Sequence, residues 1–169
     1  VKYTDYALGK FIENAKNQPW FTNTIFVIVA DHCASSAGKW EINIEKHHIP
    51  AIVYNLRKTQ KVDKLASQID LMPTVFSLLN WNYKSSFYGN TIFDFEKSNE
   101  RALIANYRTL GLLKNNTFTQ LTDKKTVQQY HWDADTKEMI ELKTNNKALE
   151  NLTISYYQTA SERFKTGKM

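Results

Sequence analysis

The sequence holds one cysteine, three prolines and five glycines in 169 residues. Cys33 has no second cysteine to bond, so an internal disulfide is excluded. The compartment stays open, because secreted proteins also exist without disulfides. So few Gly and Pro exclude collagen-like and low-complexity chains. Long hydrophobic runs are missing too. The longest purely apolar stretch is residues 25–30, far short of the roughly 20 residues a membrane helix needs. No membrane span is expected. The chain starts at Val1 without an initiator Met, a basic leader or a cleavage site, which suggests a piece of a larger product. Neither sign of charge dominates: 22 Lys and Arg face 17 Asp and Glu, for a net +5. This mild basicity suits anionic partners. Its only dense cluster is Arg57-Lys58-Thr59-Gln60-Lys61. No nucleic-acid module accompanies it, so nucleic acid is not expected as a partner.

What is present is a good supply of core material. Apolar residues make up 42% and aromatics 13%, enough for one globular core. Tyr3, Tyr6, Ala7, Phe11 and Ala15 recur at helical spacing, which predicts a helix over 3–16 that Pro19 stops. The β-branched run Thr24-Ile25-Phe26-Val27-Ile28-Val29-Ala30 and the later Ile49-Pro50-Ala51-Ile52-Val53-Tyr54 predict two strands. Continuous apolarity predicts burial on both faces, as in a parallel sheet, and the two strands are expected to run parallel. Residues 63–80 have helical spacing, with Pro73 in a first turn and Asp70 as a candidate cap.

Beyond Trp81 the texture changes. Short candidate strands at 102–105, 110–113, 118–121 and 127–132 alternate with polar turns such as Lys114-Asn115-Asn116. That spacing predicts an antiparallel meander. Helical spacing returns over 146–165, followed by Gly167. The expected fold class is therefore α/β: a partial parallel sheet with its helices to about residue 95, then a small antiparallel sheet and a C-terminal helix.

The chemistry-bearing feature is Asp31-His32 at the end of the first apolar strand. Functional groups gather at the carboxyl ends of strands in α/β sheets. A carboxylate beside an imidazole can ligate one divalent metal, and the pair suits Mn²⁺ or Zn²⁺ better than Ca²⁺. On its own, such a pair after an apolar run is more often a turn with a satisfied histidine. His47 and His48 precede the second strand, either as a partly exposed loop pair or, where the loop over 33–46 folds back, as residues that reach the Asp31-His32 site. Cys33 is a third ligand or a small buried side chain. Ser35, Ser36 and Lys39 either meet an anionic substrate or belong to a solvated loop. His131, beside Trp132, is read as structural.

The stretch Thr24-Ile25-Phe26-Val27-Ile28-Val29-Ala30-Asp31-His32 resembles the metal-ligand strand of the sulfatase and alkaline-phosphatase superfamily. His48-Ile49-Pro50-Ala51-Ile52-Val53-Tyr54 is similar to the family's next strand. Ser67-Gln68-Ile69-Asp70-Leu71-Met72-Pro73-Thr74-Val75 resembles its Gln-x-Asp-apolar-x-Pro-Thr helix start, and Tyr88-Gly89-Asn90-Thr91-Ile92-Phe93 its glycine-containing segment. The part after residue 100 resembles, less specifically, the C-terminal subdomain of the lipoteichoic-acid-synthase-like branch.

The resemblance implies an alkaline-phosphatase-like fold. Residues 1–95 would be the C-terminal part of the α/β catalytic domain, and residues 96–169 an antiparallel β subdomain with a closing helix. Such enzymes hold a divalent metal with a Glu, a nucleophilic Thr, and an adjacent Asp and His. The Thr attacks a phosphodiester, and the group it receives passes to an acceptor alcohol. Asp31 and His32 match the Asp-His half of the ligands. His48 matches a basic position that faces substrate, with His47 as a competitor. Cys33 departs from the usual Gly or aromatic. His32 favours a transition-metal phosphotransferase branch, with Mn or Zn ahead of Mg or Ca.

The nucleophile and the Glu belong to the family's N-terminal half, so this chain carries no catalytic nucleophile and is expected to be inactive alone. The implied activity is phosphoglycerol or phosphoethanolamine transfer, or sulfatase-like hydrolysis of phosphodiesters or sulfate esters. The implied substrate is an anionic phospholipid-type molecule or a glycan. The implied partner is the N-terminal half of the same domain. The implied location is the extracytoplasmic face of a bacterial membrane. The alternative is a non-catalytic binding module, or a degenerate relative without metal.

Overall fold

The structure is a computed structural model that describes residues 2–33 and 41–168. Three α-helices and seven strands are present among them. They form two compact units. No helix among the described residues is long and apolar enough to cross a membrane.

The first unit comprises residues 1–32 and 49–61. Helix α1 (Lys2–Lys16) occupies the predicted place. Strands β1 (Phe26–Val29) and β2 (Ala51–Tyr54) follow. Phe26 is their packing centre. Its ring stands 5.9 Å from Phe11 in an edge-on contact, 5.6 Å from Phe21 and 6.1 Å from Tyr54. Asn55, at φ 72°, closes the far end of this pair. Its amide donates to the carbonyls of Phe21 (2.8 Å) and Thr24 (2.7 Å). Asn tolerates this left-handed conformation better than most residues.

The two strands correct the expectation of a parallel pair. They are antiparallel, with Phe26 opposite Tyr54 and Val29 opposite Ala51. Nor are both faces buried, since Val27, Val29 and Ile52 are 37%, 36% and 54% exposed. A continuous apolar run reports side-chain chemistry and carries no information on strand direction. Antiparallel pairing brings the entry of β2 beside the exit of β1, where the Ala30 N–H donates to the Pro50 carbonyl at 3.3 Å. Pro50 has no N–H to give, and here only its carbonyl is needed.

The second unit comprises residues 33–48 and 62–169. Its sheet is a plain antiparallel meander: β3 (Ala102–Ala105), β4 (Thr109–Lys114), β5 (Thr117–Thr122), β6 (Val127–Asp133) and β7 (Glu138–Glu141) lie in sequence order. Ile104, Leu113, Phe118, Tyr130, Trp132 and Met139 form its core, joined by Ile42 and Ile44 from the segment before β2. Gly111 sits under the Phe118 ring, and a Cβ there would strike that ring. The glycine thus lets Phe118 become fully buried.

Helix α3 (Lys147–Thr166) closes the unit. The Asn146 side chain caps it, accepting from the N–H groups of Ala148 and Leu149. Gly167 ends it in the left-handed conformation at φ 65°. Buried Gln129 ties this cap to the sheet. Its Nε2 donates to Thr119 Oγ1 and to the Asn146 carbonyl, both at 3.0 Å, and its Oε1 accepts from the Asn146 N–H.

The helical stretch predicted over 63–80 is shorter. A 3₁₀ turn (Gln68–Asp70) runs into α2 (Leu71–Leu78). Upstream, the chain's polar groups are engaged elsewhere: the Leu65 N–H donates to Glu100 (3.2 Å), and Ser67 Oγ accepts from the Leu103 N–H (2.5 Å). A helical pattern of side chains cannot form a helix whose N-terminal turn is spent on tertiary bonds. Residues 62–95 group with the meander and α3.

Candidate metal centre

Asp31 and His32 follow β1 directly, one residue beyond the Ala30–Pro50 bond. The Asp31 carboxylate turns back on its own chain, where Oδ1 accepts from the His32 N–H at 3.0 Å. Its other oxygen, Oδ2, lies 3.5 Å from His32 Nε2. Both side chains are open to solvent, at 88% and 76% exposure. Two ligands that each sit about 2.1 Å from a tetrahedral ion stand about 3.4 Å apart. The oxygen and nitrogen of this pair therefore have the separation of two donors that share one metal. The donor chemistry, one carboxylate and one imidazole, also fits a divalent transition metal. Two donors supply half of a four-coordinate site. Among the described residues, no group of three or more His, Cys, Asp or Glu side chains is gathered to hold an ion. Cys33 is half-buried.

The two histidines before β2 differ. His47 ends a 3₁₀ turn (Glu45–His47), and its Nδ1 donates to the Asn43 carbonyl at 2.7 Å. That bond fixes the tautomer with the proton on Nδ1 and anchors the ring to its own turn. His48 comes next in extended conformation (φ −77°, ψ 105°) and is exposed. Of the two, His48 has the ring that its own turn does not claim. Ser35, Ser36 and Lys39 lie outside the described residues. His131 sits in β6 opposite Thr117 and Ile140, on the exposed side.

The structure also brings together residues that sequence spacing could not join. Asp70 is fully buried. Its carboxylate takes four hydrogen bonds: from Arg101 Nη1 (2.7 Å) and Nη2 (2.9 Å), and from the N–H groups of Ser67 (2.8 Å) and Asn90 (3.0 Å). Arg101, 3% exposed, donates further to Tyr156 Oη and the Tyr88 carbonyl, both at 3.2 Å. Burial works against its charge. The Asp70 hydrogen bonds and charge more than offset this, so the guanidinium pKa is raised. One turn on, Thr74 donates to the Asp70 carbonyl (2.6 Å) and accepts from the Ile92 N–H (3.0 Å). Gly89 passes so close to the Ile69 carbonyl that no Cβ would fit. The Asp70, Thr74 and Gly89 of the quoted motifs thus serve one buried junction and not the chemistry of a reacting group. Arg101, separated by 31 residues from Asp70, left no signal in the sequence.

Comparison with known proteins bears on the family and the fold. Residues 1–81 match the family model described as Sulfatase. That span includes Asp31, His32, His47, His48 and the Asp70–Thr74 segment. The fold matches that of a solved protein in the alkaline phosphatase superfamily from Vibrio parahaemolyticus, with a TM-score of 0.90 and 27% identity. The match covers 98% of this chain and 41% of that one. The chain thus spans about two fifths of the length of the solved protein it resembles. Together the two matches support a sulfatase-like family and an α/β fold of the alkaline-phosphatase type.

Proposed function

We propose that this chain is the C-terminal portion of the catalytic domain of a metal-dependent phosphoryl or sulfuryl transfer enzyme, with Asp31 and His32 as two of its metal ligands. The observation that carries this is the 3.5 Å Asp31–His32 pair at the exit of β1, inside the segment that matches the Sulfatase model. Bound there, a divalent metal would act as a Lewis acid on the transferred group. The Asp31 carboxylate and His32 Nε2 would hold the ion, and the carboxylate would offset part of its charge. The donor set favours Mn²⁺ or Zn²⁺ over the harder Mg²⁺ and Ca²⁺.

The rest of the proposal concerns the whole protein. The nucleophilic Thr and a Glu ligand come from the N-terminal half of the same domain, which is this chain's partner. The exposed apolar side chains of α1 and the β1–β2 pair, Phe11, Val27, Val29 and Ile52 among them, support such a neighbour, since apolar sheet faces are normally covered. The activity is transfer of phosphoglycerol or phosphoethanolamine, or hydrolysis of related phosphodiesters or sulfate esters, on an anionic phospholipid-type or glycan substrate. Such substrates place the parent protein at the extracytoplasmic face of a bacterial membrane. His48 meets the substrate, and His47 is held back by Asn43.

A second reading, a non-catalytic module without metal, rests on the lack of a third clustered ligand among the described residues. Turnover separates the two. In the full-length protein, Asp31→Ala abolishes metal-dependent hydrolysis of a phosphodiester or sulfate ester on the first reading, while the 169-residue chain alone shows none. Undiminished turnover in that variant removes Asp31 from the mechanism.

A further inference from the structure

A polar cleft of about 870 Å³ opens in the second unit, and its lining includes none of Asp31, His32, His47 or His48. Three features set its chemistry. The lining includes Trp81, Tyr83 and Phe87, each about half exposed. They are held in place by Phe76, whose ring stacks on Trp81 at 5.3 Å and meets Tyr83 edge-on at 4.9 Å. Aromatic faces held this way suit the C–H faces of a ring or polyol.

The lining also holds two cations, Arg101 and Lys114. Asp70 neutralises Arg101. Lys114 donates to the Ser98 carbonyl, which leaves two of its three ammonium hydrogens for other acceptors. No salt bridge of Lys114 to a carboxylate is found among the described residues. Burial, together with the charge of Arg101, lowers its pKa.

Thr91 also lines the cleft, and its buried Oγ1 has no hydrogen-bond partner. Thr91 occupies the N-cap position of a 3₁₀ turn yet makes no cap bond. Asn90 and Asn99 add amides to the lining.

We infer that this cleft binds a phosphate or sulfate group carried on a hydroxylated ring or polyol, with the oxyanion at Lys114 and the carrier against Trp81 and Tyr83. The one carboxylate in the lining, Asp94, is exposed and suits the carrier's hydroxyls as an acceptor. Nothing in this inference depends on the metal, so it stands or falls apart from the proposed catalytic role.

Calorimetric titration of the full chain without added metal tests it. The probes are glucose 6-phosphate, glucose 6-sulfate, inorganic phosphate and glucose. The expected result is saturable binding of one or both sugar esters, weaker binding of inorganic phosphate, and none of glucose. Lys114→Met lowers the affinity for the esters about tenfold, the worth of one charge-assisted hydrogen bond, and Lys114→Arg restores it. Trp81→Ala, at a ring that is 58% exposed, weakens the esters while leaving inorganic phosphate unchanged. The phosphate arm against the sulfate arm tells which oxyanion is preferred. Absence of binding by every ester, equal binding of glucose, or ester binding that Lys114→Met leaves intact would each overturn the inference.

Discussion

Arg101 grips Asp70 through two parallel hydrogen bonds, Nη1 to Oδ2 at 2.7 Å and Nη2 to Oδ1 at 2.9 Å, in a site where both side chains are buried. The pair joins the residue just before α2 to the residue just before β3. It also collects the Ser67 and Asn90 N–H groups on the same carboxylate. A buried ion pair repays its desolvation only when its remaining hydrogen-bonding groups are satisfied. Here the four bonds to Asp70 and the Arg101 bonds to Tyr156 and Tyr88 meet that condition.

Breaking this pair from one side should therefore be costly. Arg101→Ala leaves a buried carboxylate with only two N–H donors and is expected to destabilise the second unit by about 3–5 kcal/mol. Asp70→Ala leaves a buried guanidinium and should cost a similar amount. Urea unfolding followed by far-ultraviolet circular dichroism measures both. A loss below about 1 kcal/mol, the level of an exposed pair, would show that the junction is not sealed from water.

Much of the architecture was legible in the sequence because it rests on periodicity. Helices α1 and α3 and strands β3 to β6 lie where apolar spacing put them, and the Asn146 and Gly167 ends are local chemistry. Strand β7 was not legible: of Glu138-Met139-Ile140-Glu141, only Met139 is buried, so no alternation stands out between the two acids. The direction of β2 was not legible either, because a run such as Ala51-Ile52-Val53-Tyr54 serves both pairings. In the candidate site, Asp31 and His32 were visible as neighbours in the chain. The difference between His47 and His48 was not, since it depends on a hydrogen bond to the Asn43 carbonyl. The Asp70–Arg101 pair is a long-range contact between residues that are ordinary in composition.

A pH dependence follows from Tyr157. Burial pushes its phenol up to about 12, and its hydroxyl donates to the Gly111 carbonyl at 2.8 Å. The ordinary phenol pKa is about 10. Below about pH 10 the phenol is protonated in both the folded and unfolded chain, and its contribution to stability is fully present. Between about 10 and 12 the unfolded chain loses this proton and the folded chain keeps it. Stability therefore falls as pH rises through that window. Urea midpoints measured across this range should decline, and Tyr157→Phe should flatten the decline. An unchanged slope in Tyr157→Phe would assign the alkaline loss to other groups.

The two histidines before β2 should behave differently in the full-length protein. His48→Ala is expected to lower turnover by about 10²–10⁴, the range for loss of a positioned proton donor or acceptor, with little change in metal affinity. His47→Ala should leave the chemistry intact and loosen the turn at Glu45–His47, which its ring pins to Asn43. Steady-state kinetics on both variants checks this. Equal effects, or turnover untouched by His48→Ala, would return His48 to the surface.

The claim that Asp31 and His32 are metal ligands is tested most directly by binding alone. Mn²⁺ titration of the full-length protein, read by the loss of the free-ion paramagnetic resonance signal, compares the native sequence with Asp31→Ala and His32→Ala; Zn²⁺ competition follows. The account predicts one tight site in the native protein, weakened at least about tenfold by either substitution, a conservative bound for loss of one ligand where even a second-shell partner is worth 10–100-fold. Undiminished affinity in both variants would contradict it, and would place the metal, if there is one, on other residues.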